Sequence, residues 1–424
     1  MSTRFSKDFI LVVIGQIVSI FGNQIVRFAL PLYLLNKTGS PALFGTILAI
    51  SFIPMILLFP VGGIIADRVN KRNIMVILDF STGIVIFLFY LLAGKIDIVP
   101  LMAVTMIILF GIQGAYQPAV KSSVPALVKT EYMMQANSIV DVVNSLASMA
   151  GPVVGGVLFS IFGLTPILYV AVFCFVASAV MEIFIRIPYE KREAKGNIFA
   201  TGFGDLKESF GFIFKENPII WKLTLIFTST NLLLFPLFII GIPVLITQHL
   251  GFEANTANRL YGYAQGVIAA GAVLGGLLAG VFSKKLTLKS SPFMLIGQAL
   301  SVLLVGIALH FLKSSLGIYI ILVIGSGLLV MLSTLFQIQI MTCLQILTPK
   351  DLIGKIVSVV MCVCYCTSPL GQFIYGIVFE YIKSNTYVPF YVASFVMIGI
   401  SVFTRRIFYG ADDLIKLTSQ PNFQ

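Results

Sequence analysis

Twelve long apolar runs constrain the fold of this chain more than any other feature. Each is about 20 residues long or longer, which is the length that a helix needs to cross the hydrocarbon core of a bilayer. Backbone groups in lipid must be hydrogen-bonded within their own segment, so we expect these runs to be helices. The runs lie at residues 9–35, 42–65, 74–94, 99–120, 138–162, 166–186, 219–247, 260–282, 292–312, 317–341, 356–379 and 388–409.

Charge is too scarce for a soluble protein. Charged residues make up 11% of the chain and hydrophobic residues 58%, whereas soluble domains carry about 25% charged residues. So few charges cannot cover a globular surface, and lipid must be the solvent over much of the protein. We therefore predict an all-α, multi-pass protein of the cytoplasmic membrane with 12 transmembrane helices. The lipid bilayer is its main partner, and we expect it to act as a monomer.

The basic residues are distributed unevenly across the predicted membrane. If the N-terminus is cytoplasmic, the outer side receives only a few of the 28 Lys and Arg residues, namely Lys37, Lys95, Arg259, Lys313 and Lys383. Apart from Arg27, which lies inside helix one, the others fall on the opposite side. Because Lys and Arg concentrate in cytoplasmic loops, both termini are predicted to be cytoplasmic. The net charge of +11 is thus a topology signal and does not indicate nucleic acid as a partner.

The chain contains an internal repeat. Leu43-Phe44-Gly45 matches Leu260-Tyr261-Gly262, and the same displacement maps Gly63 onto Gly280 and Pro152 onto Pro369. Six apolar runs lie before residues 187–218 and six lie after them, which predicts a duplicated six-helix unit. The predicted domains are a first bundle, a cytoplasmic linker containing an amphipathic helix, a second bundle and a cytoplasmic tail; they span 1–186, 187–218, 219–410 and 411–424.

One charged stretch separates the second and third runs. It reads GIIADRVNKR from Gly63 to Arg72, and it resembles the loop 2–3 signature of the major facilitator superfamily. That family is built from two parallel six-helix halves. The resemblance implies a conformational latch formed by Gly63, Asp67, Arg68, Lys71 and Arg72.

The acid of this stretch has a specific expected role. The free N–H groups at a helix N-terminus favour a carboxylate. We expect Asp67 to cap helix eleven when the cytoplasmic side is closed, while Arg68, Lys71 and Arg72 anchor the loop to lipid phosphate or acidic side chains. The alternative is that Asp67 is a solvated loop charge.

A second stretch, on helix five, is similar to the signature of exporters in this superfamily. It comprises Gly151, Pro152, Gly155 and Gly156. Small residues let neighbouring helices approach closely, and a proline inside a helix removes one backbone donor. The alternative is a packing seam without a transport role.

The resemblance narrows to one branch of the superfamily. GQIVSIFGNQIVRFALPLYLLNKTGS at 15–40, together with Pro54, Asp79 and VPALV at 124–128, looks like the macrolide-efflux-like branch of drug:proton antiporters. Asn23 stands where many members of that branch have an acid. A proton-coupling role at this position is therefore not expected here.

Polar stripes on four helices are candidates for a substrate cavity. The resemblance implies that helices one, four, seven and ten line a central chamber. The amides, hydroxyls and aromatic rings of this chamber would suit a large amphipathic solute. A charge inside a membrane helix is costly and usually faces a cavity, although Arg27 can alternatively snorkel outward or form a structural ion pair. The candidates are Gln16, Asn23, Arg27, Gln113, Tyr116, Gln117, Thr228, Asn231 and Gln337.

Three membrane acids are candidates for carrying protons. Asp79, Asp141 and Glu182 lie near the predicted cytoplasmic ends of helices three, five and six. Asp141 is the preferred one, because its helix carries the Gly-Pro signature. The alternative is that all three pair with loop Arg or Lys residues.

The cysteines do not indicate a metal centre. Cys362, Cys364 and Cys366 resemble a metal-binding box, but positions two apart on a helix point about 200° away from each other. Neither His249 nor His310 stands near a set of ligands. We therefore predict no metal site and treat the cysteines as small apolar packing residues.

These features together predict a transporter and no enzyme activity. The favoured interpretation is export of a small amphipathic, macrolide-like compound in exchange for protons by alternating access. No phosphate-binding loop appears, so neither a nucleotide nor any other cofactor is expected. One alternative is export or flipping of an endogenous lipid-like molecule or siderophore, which Arg27 and the missing helix-one acid favour. Another is a non-transporting receptor built on a transporter scaffold.

Overall fold

The computed structural model describes residues 6–129, 132–187, 211, 213, 218–282, 288–349, 352–382 and 384–418. Within these ranges, twelve helices are long and apolar enough to cross a membrane, which confirms the predicted all-α fold. The helices are α1 Lys7–Thr38, α2 Pro41–Arg68, α3 Lys71–Leu92, α4 Ile98–Leu127, α5 Met133–Phe162, α6 Leu164–Ile183, α7 Pro218–His249, α8 Ala254–Val281, α9 Ser291–Phe311, α10 Ser315–Leu347, α11 Ile353–Tyr381 and α12 Val388–Thr418.

Local sequence explains where several helices begin and end. Ser6 caps α1 by accepting a hydrogen bond from the amide of Phe9 at 3.1 Å, which satisfies one of the free N–H groups of the first turn. Gly39 ends this helix in the left-handed region, with φ 64°, where glycine has no steric penalty. Ser40 then caps α2, and Pro41 occupies its first turn, where the missing N–H costs nothing.

Helix α7 is interrupted. It consists of an α-helix at Pro218–Leu233, a second α-helix at Phe235–Val244 and a π-helical turn at Leu245–His249. Pro236 lies in the first turn of the second segment and Pro243 near its end. In a continuous helix Pro236 would lack the N–H that bonds the carbonyl four residues earlier, which accounts for the end of the first segment just before it. Pro243 removes a further backbone hydrogen bond near the end of the second segment.

The chain divides into two compact units. The first contains Met1–Glu193 together with Ile246–Gly266, and the second contains Ala194–Leu245 together with Val267–Gln424. This division gives residues 246–266 to the first unit, whereas the predicted second bundle began at 219. Most of the predicted linker at 187–218, including its amphipathic helix, lies outside the described residues.

The same pairs of helices pack in both units. In the first unit, α1 contacts α5 and α6, and α3 contacts α4 and α6. In the second unit, α7 contacts α11 and α12, and α9 contacts α10 and α12. Adding six to both helix numbers of each pair in the first unit gives the corresponding pair in the second unit. The packing thus follows the repeat that the sequence predicts.

Helix lengths differ from prediction at polar ends. Helix α4 continues to Leu127, α10 to Leu347 and α12 to Thr418, beyond the apolar runs that end at 120, 341 and 409. Hydropathy identifies the part of a helix that lipid can solvate, and polar turns at its end escape this criterion. The last helix therefore extends into the segment predicted as a tail at 411–424.

Candidate functional site

A polar cavity of about 70 Å³ lies within the first unit. A single water needs about 10–15 Å³ of such space, so the cavity has room for several. Side chains of α1, α3 and α4 form most of its lining, and five predicted cavity residues are among them: Asn23, Arg27, Gln113, Tyr116 and Gln117. Asp79, predicted as a proton carrier, lines the same cavity.

Asp79 is almost fully enclosed by protein. Its side chain is 2% exposed, and its Oδ1 accepts a hydrogen bond from Ser19 Oγ at 3.0 Å. Its other oxygen, Oδ2, is buried without a hydrogen-bond partner among the described residues. Asp79 thus has one carboxylate oxygen without a hydrogen-bond donor, whereas buried polar atoms in proteins normally have a hydrogen-bond partner.

Glu182 lies behind the cavity wall. It is 0% exposed, and its Oε1 accepts a hydrogen bond from the hydroxyl of Tyr116 at 3.0 Å. The amide of Gln16 donates to the same hydroxyl, while Oε2 of Glu182 has no partner within the described part of the chain. Tyr116 therefore connects the cavity, which it lines, to a second buried carboxyl group.

The two carboxyl groups, Asp79 and Glu182, form what we call the buried acid pair. They are close enough to interact electrostatically, and they come from α3 and α6, which pack against each other. Asp141 is not part of this cluster, because its side chain is exposed on α5. The preference for Asp141 rested on its proximity to the Gly-Pro signature in sequence, which does not determine the direction of a side chain.

A cationic and amide-rich end of the cavity lies farther along α1. The guanidinium of Arg27 stands 4.3 Å from the centroid of the Phe110 ring, within the range of a cation–π interaction. One turn earlier, Asn23 donates to Oε1 of Gln113 at 2.6 Å. The polar stripe of α1 thus presents Asn23 and Arg27 to the cavity, and Gln16 supports it from behind through Tyr116.

The Gly-Pro signature of α5 forms two close helix contacts. A Cβ atom at Gly151 would collide with Gln24 of α1, and one at Gly156 would lie 2.8 Å from Cα of Gly262 in α8. Real Cβ atoms essentially never come this close to another atom, so only glycine fits at Gly156. These residues bring α5 against α1 and the first half of α8 within the first unit.

Only part of the latch stretch is described at side-chain level. The backbones of Gly63, Asp67 and Arg68 belong to α2, but the side chains of Asp67 and Arg68 lie outside the described residues. Arg72 donates from Nη1 to the carbonyl of Ile183 at 3.4 Å. Because Ile183 ends α6, the cation lies at the negative end of a helix dipole. This contact differs from the expected lipid phosphate or acidic side chain.

Lys71 is the first residue of α3. The cap of this helix is Asn70, whose side chain accepts a hydrogen bond from the amide of Arg72 at 3.0 Å. Asn70 thus satisfies one of the free N–H groups in the first turn of α3.

The predicted cavity residues of the second unit have local partners. Thr228 Oγ1 lies 3.3 Å from Cys364 Sγ, and the amide of Asn231 donates to the carbonyl of Phe227 at 3.0 Å. Gln337 interacts with the hydroxyl of Tyr365. Their role in a substrate chamber stays a prediction.

Sequence reasoning missed several residues of the site. Thr82 and Asn144 line the cavity, and Ser178 donates to the carbonyl of Gly15 at 3.1 Å. A signal for one of them was present, because Ser178 precedes Glu182 by four residues and therefore shares its helix face. Which side chains hydrogen-bond between different helices cannot be read from a single sequence.

Similarity to known proteins extends over most of the chain. A sequence model of the Major Facilitator Superfamily matches residues 12–372. Macrolide efflux protein A of Streptococcus pyogenes is 21% identical over 289 residues, which are 68% of this chain and 70% of that protein. The multidrug efflux pump Tap of Mycolicibacterium fortuitum is 20% identical over 374 residues, 87% of this chain and 88% of that protein.

Solved structures share the fold at low sequence identity. A peptide transporter POT in complex with sulfate superposes with a TM-score of 0.74 at 13% identity, covering 96% of this chain and 95% of that one. A bacterial homologue of the iron transporter ferroportin in an inward-facing state gives a TM-score of 0.67 at 18% identity, covering 98% and 99%. Identities this low carry information about the fold alone.

Proposed function

Because the chain belongs to the major facilitator superfamily, whose members are membrane transporters, we propose that it exports an amphipathic, drug-like compound across the cell membrane in exchange for protons. The superfamily works by alternating access, in which a midplane site faces first one side of the membrane and then the other. Two parts of this proposal need separate support. One is the coupling to protons, and the other is the direction of transport together with the chemical class of the substrate.

The buried acid pair carries the proposal of proton coupling. An ionised carboxyl is costly inside a membrane protein, and intramembrane acids commonly mark proton pathways. Asp79 lines a cavity with room for water, and Glu182 is joined to that cavity by the hydroxyl of Tyr116. Each acid keeps one unpaired oxygen, which is an atom on which a proton can reside.

The proton gradient is large enough to drive export. One proton that enters down about 100 mV and one pH unit releases about 3.7 kcal/mol. At one proton per substrate, this free energy sustains a solute gradient of roughly several hundredfold. No second energy source is needed for the proposed activity.

Export of a drug-like compound is supported by similarity and by the chemistry of the cavity. Relatives at about a fifth identity are named for macrolide and multidrug efflux, and α5 carries the signature that resembles that of exporters. Amides, a tyrosine and the ring of Phe110 line the cavities of the first unit. Such a lining combines apolar area with a few hydrogen-bonding groups, as small-molecule sites commonly do.

Arg27 favours a second candidate, export of an endogenous anionic amphiphile such as a lipid-like molecule or siderophore. Its guanidinium lines the polar cavity and lies over the ring of Phe110. A guanidinium recognises carboxylates and phosphates through paired hydrogen bonds. Resistance profiling of cells with and without the gene, combined with analysis of exported lipids and chelators, distinguishes the two candidates.

The central test measures substrate uptake into inside-out membrane vesicles. An imposed pH gradient with the vesicle lumen acid should drive accumulation of a macrolide in the lumen as protons leave it, and a protonophore should abolish the accumulation even when ATP is supplied. Asp79→Asn and Glu182→Gln should each reduce gradient-driven accumulation at least tenfold but retain substrate exchange without a gradient.

Asp141→Asn is the matched control, because Asp141 is an acid of the first unit whose side chain is exposed. It should accumulate substrate like the unchanged protein. Accumulation that survives the protonophore, or a loss confined to Asp141→Asn, would contradict coupling through the buried acid pair.

A further inference from the structure

The three neighbouring cysteines of α11 divide into a pair and a single residue. Cys364 is buried and its sulfur lies 3.3 Å from Oγ1 of Thr228 on α7. Cys362 and Cys366 are both exposed and not in a disulfide, and their sulfur atoms are 4.0 Å apart. Residues four apart lie on the same face of a helix, one turn from each other. The expectation that all three serve as apolar packing residues therefore fits only Cys364.

The separation of the two exposed sulfurs suits a shared thiophilic centre. When one centre holds two sulfur atoms through bonds of about 2.3 Å, those sulfur atoms lie about 3.5 Å apart for a pyramidal centre and about 3.8 Å apart for a tetrahedral one. A small rotation about either Cα–Cβ bond closes the remaining gap from 4.0 Å. Two thiols on one rigid turn are already positioned for this geometry, which reduces the entropy lost when both bind one centre.

The surroundings limit which centre can bind there. Within the described residues, no group of three or more His, Cys, Asp or Glu side chains is placed to hold a metal ion. The pair therefore offers two sulfur donors without a complete protein coordination shell. Soft donors of this kind select soft partners. A centre that needs only two protein sulfurs and carries its remaining ligands with it fits best.

We propose that Cys362 and Cys366 form a dithiol site for trivalent arsenicals, which also accepts soft divalent cations such as Cd²⁺. With an aryl arsenoxide in its hydrated form, both S–H bonds break and two As–S bonds form. Each thiol proton leaves with one arsenic-bound hydroxyl as water, and arsenic stays trivalent. With Cd²⁺, two thiol protons are released to solvent as two Cd–S bonds form. Neither reaction needs an oxidant or a reductant.

Intact-mass analysis of the purified full-length protein tests the site. The protein is treated with phenylarsine oxide and washed with excess 2-mercaptoethanol, which strips arsenic bound to a single thiol. One phenylarsenic group should remain, and 2,3-dimercaptopropanol should remove it. Cys362→Ser and Cys366→Ser should each lose this retained group at least tenfold. Prior addition of Cd²⁺ should block labelling of the unchanged protein.

Two controls keep the proposal open to refutation. Cys364→Ser should retain the arsenical, because its sulfur faces α7 and away from the pair. Size-exclusion chromatography and thermal stability establish that each serine variant is folded, which is expected since positions 362 and 366 are exposed. The proposal is overturned if the unchanged protein keeps no arsenical after the wash. It is also overturned if folded Cys362→Ser keeps the group, and lack of protection by Cd²⁺ removes the cation part.

Discussion

At the scale of single residues, the polar cavity combines a cation and an acid in a small volume. Arg27 and Asp79 both line it, and each has a distinct neighbour, the Phe110 ring for the cation and Ser19 for the acid. Charges inside membrane proteins are rare and are usually tied to function. The contribution of these two residues is therefore best tested by changes that alter one property at a time.

We predict that Arg27→Gln changes the substrate profile without preventing insertion. The change removes the charged group that would bind an anionic part of a substrate. A hydrogen bond to a charged group contributes about 1.5–3 kcal/mol, which corresponds to roughly a ten- to 150-fold change in affinity for a substrate that uses it. Arg27→Lys keeps the charge and loses the planar guanidinium. The measurement is resistance of expressing cells to a panel of anionic and cationic amphiphiles at equal protein level. An unchanged panel for both variants would exclude Arg27 from the substrate site.

We predict that Tyr116→Phe destabilises the first unit. The change removes the donor to Oε1 of Glu182 and the acceptor for Gln16, which leaves both groups buried and unsatisfied at a cost of about 1–3 kcal/mol. The midpoint of thermal unfolding in detergent should fall. Tyr33→Phe, on α1 but outside this network, is the control and should leave the midpoint unchanged. Equal midpoints for both variants would mean that the network contributes little.

At the scale of helices, much of the structure follows from the sequence. The twelve spans are predictable because lipid imposes both a length and an apolar composition on each one. The repeat predicts the shared packing pattern of the two units. The interruption of α7 at Leu233 and Phe235 was not predicted, because an apolar run can continue through a break that prolines cause.

The site was only partly predictable for a related reason. A stripe on one helix, such as Asn23 and Arg27 on α1, follows from periodicity alone. Which acid is buried depends on how neighbouring helices rotate about their axes. Asp79 and Glu182 are buried and Asp141 is exposed. The rotation of each helix about its axis, which decides this, cannot be derived from a single sequence.

We predict that Gly156→Ala destabilises the contact between α5 and α8. The added Cβ would lie 2.8 Å from Cα of Gly262, so backbone must move, at a cost of about 1–3 kcal/mol. Gly276→Ala is the matched control, because a Cβ there meets no atom within 4 Å. It should stabilise α8 by up to about 1 kcal/mol through helix propensity. Thermal unfolding in detergent compares the two, and equal midpoints would contradict a tight seam.

At the scale of the whole molecule, orientation in the membrane rests on the distribution of basic residues. The first three loops predicted to lie outside carry few Lys and Arg residues, and Lys95 lies in the one between α3 and α4. Lys129 follows α4 on the opposite side. Both side chains are exposed, which makes them suitable reporters of the two sides of the membrane.

We predict that Lys95→Cys reacts with a membrane-impermeant maleimide in intact cells, whereas Lys129→Cys reacts only after permeabilisation. The background has all five native cysteines replaced by serine. The physical reason is the preference of Lys and Arg for cytoplasmic loops. Labelling with the opposite pattern would reverse the orientation and place both termini outside.

The assignment of residues 246–266 to the first unit limits how such transporters can be recombined. These residues lie beyond the junction between the two repeats, yet Asn258 accepts a hydrogen bond from Asn36 at 2.8 Å and Tyr261 stacks on Phe28 at 4.8 Å. A chimera that joins the first repeat of this protein to the second repeat of a distant relative would exchange one side of each contact. Such a chimera should express and insert poorly unless Ile246–Gly266 is inherited together with the first repeat. The two halves of the gene are therefore not independent modules, and substitutions in this short segment must be compatible with partners such as Asn36, which is encoded 222 codons upstream of Asn258.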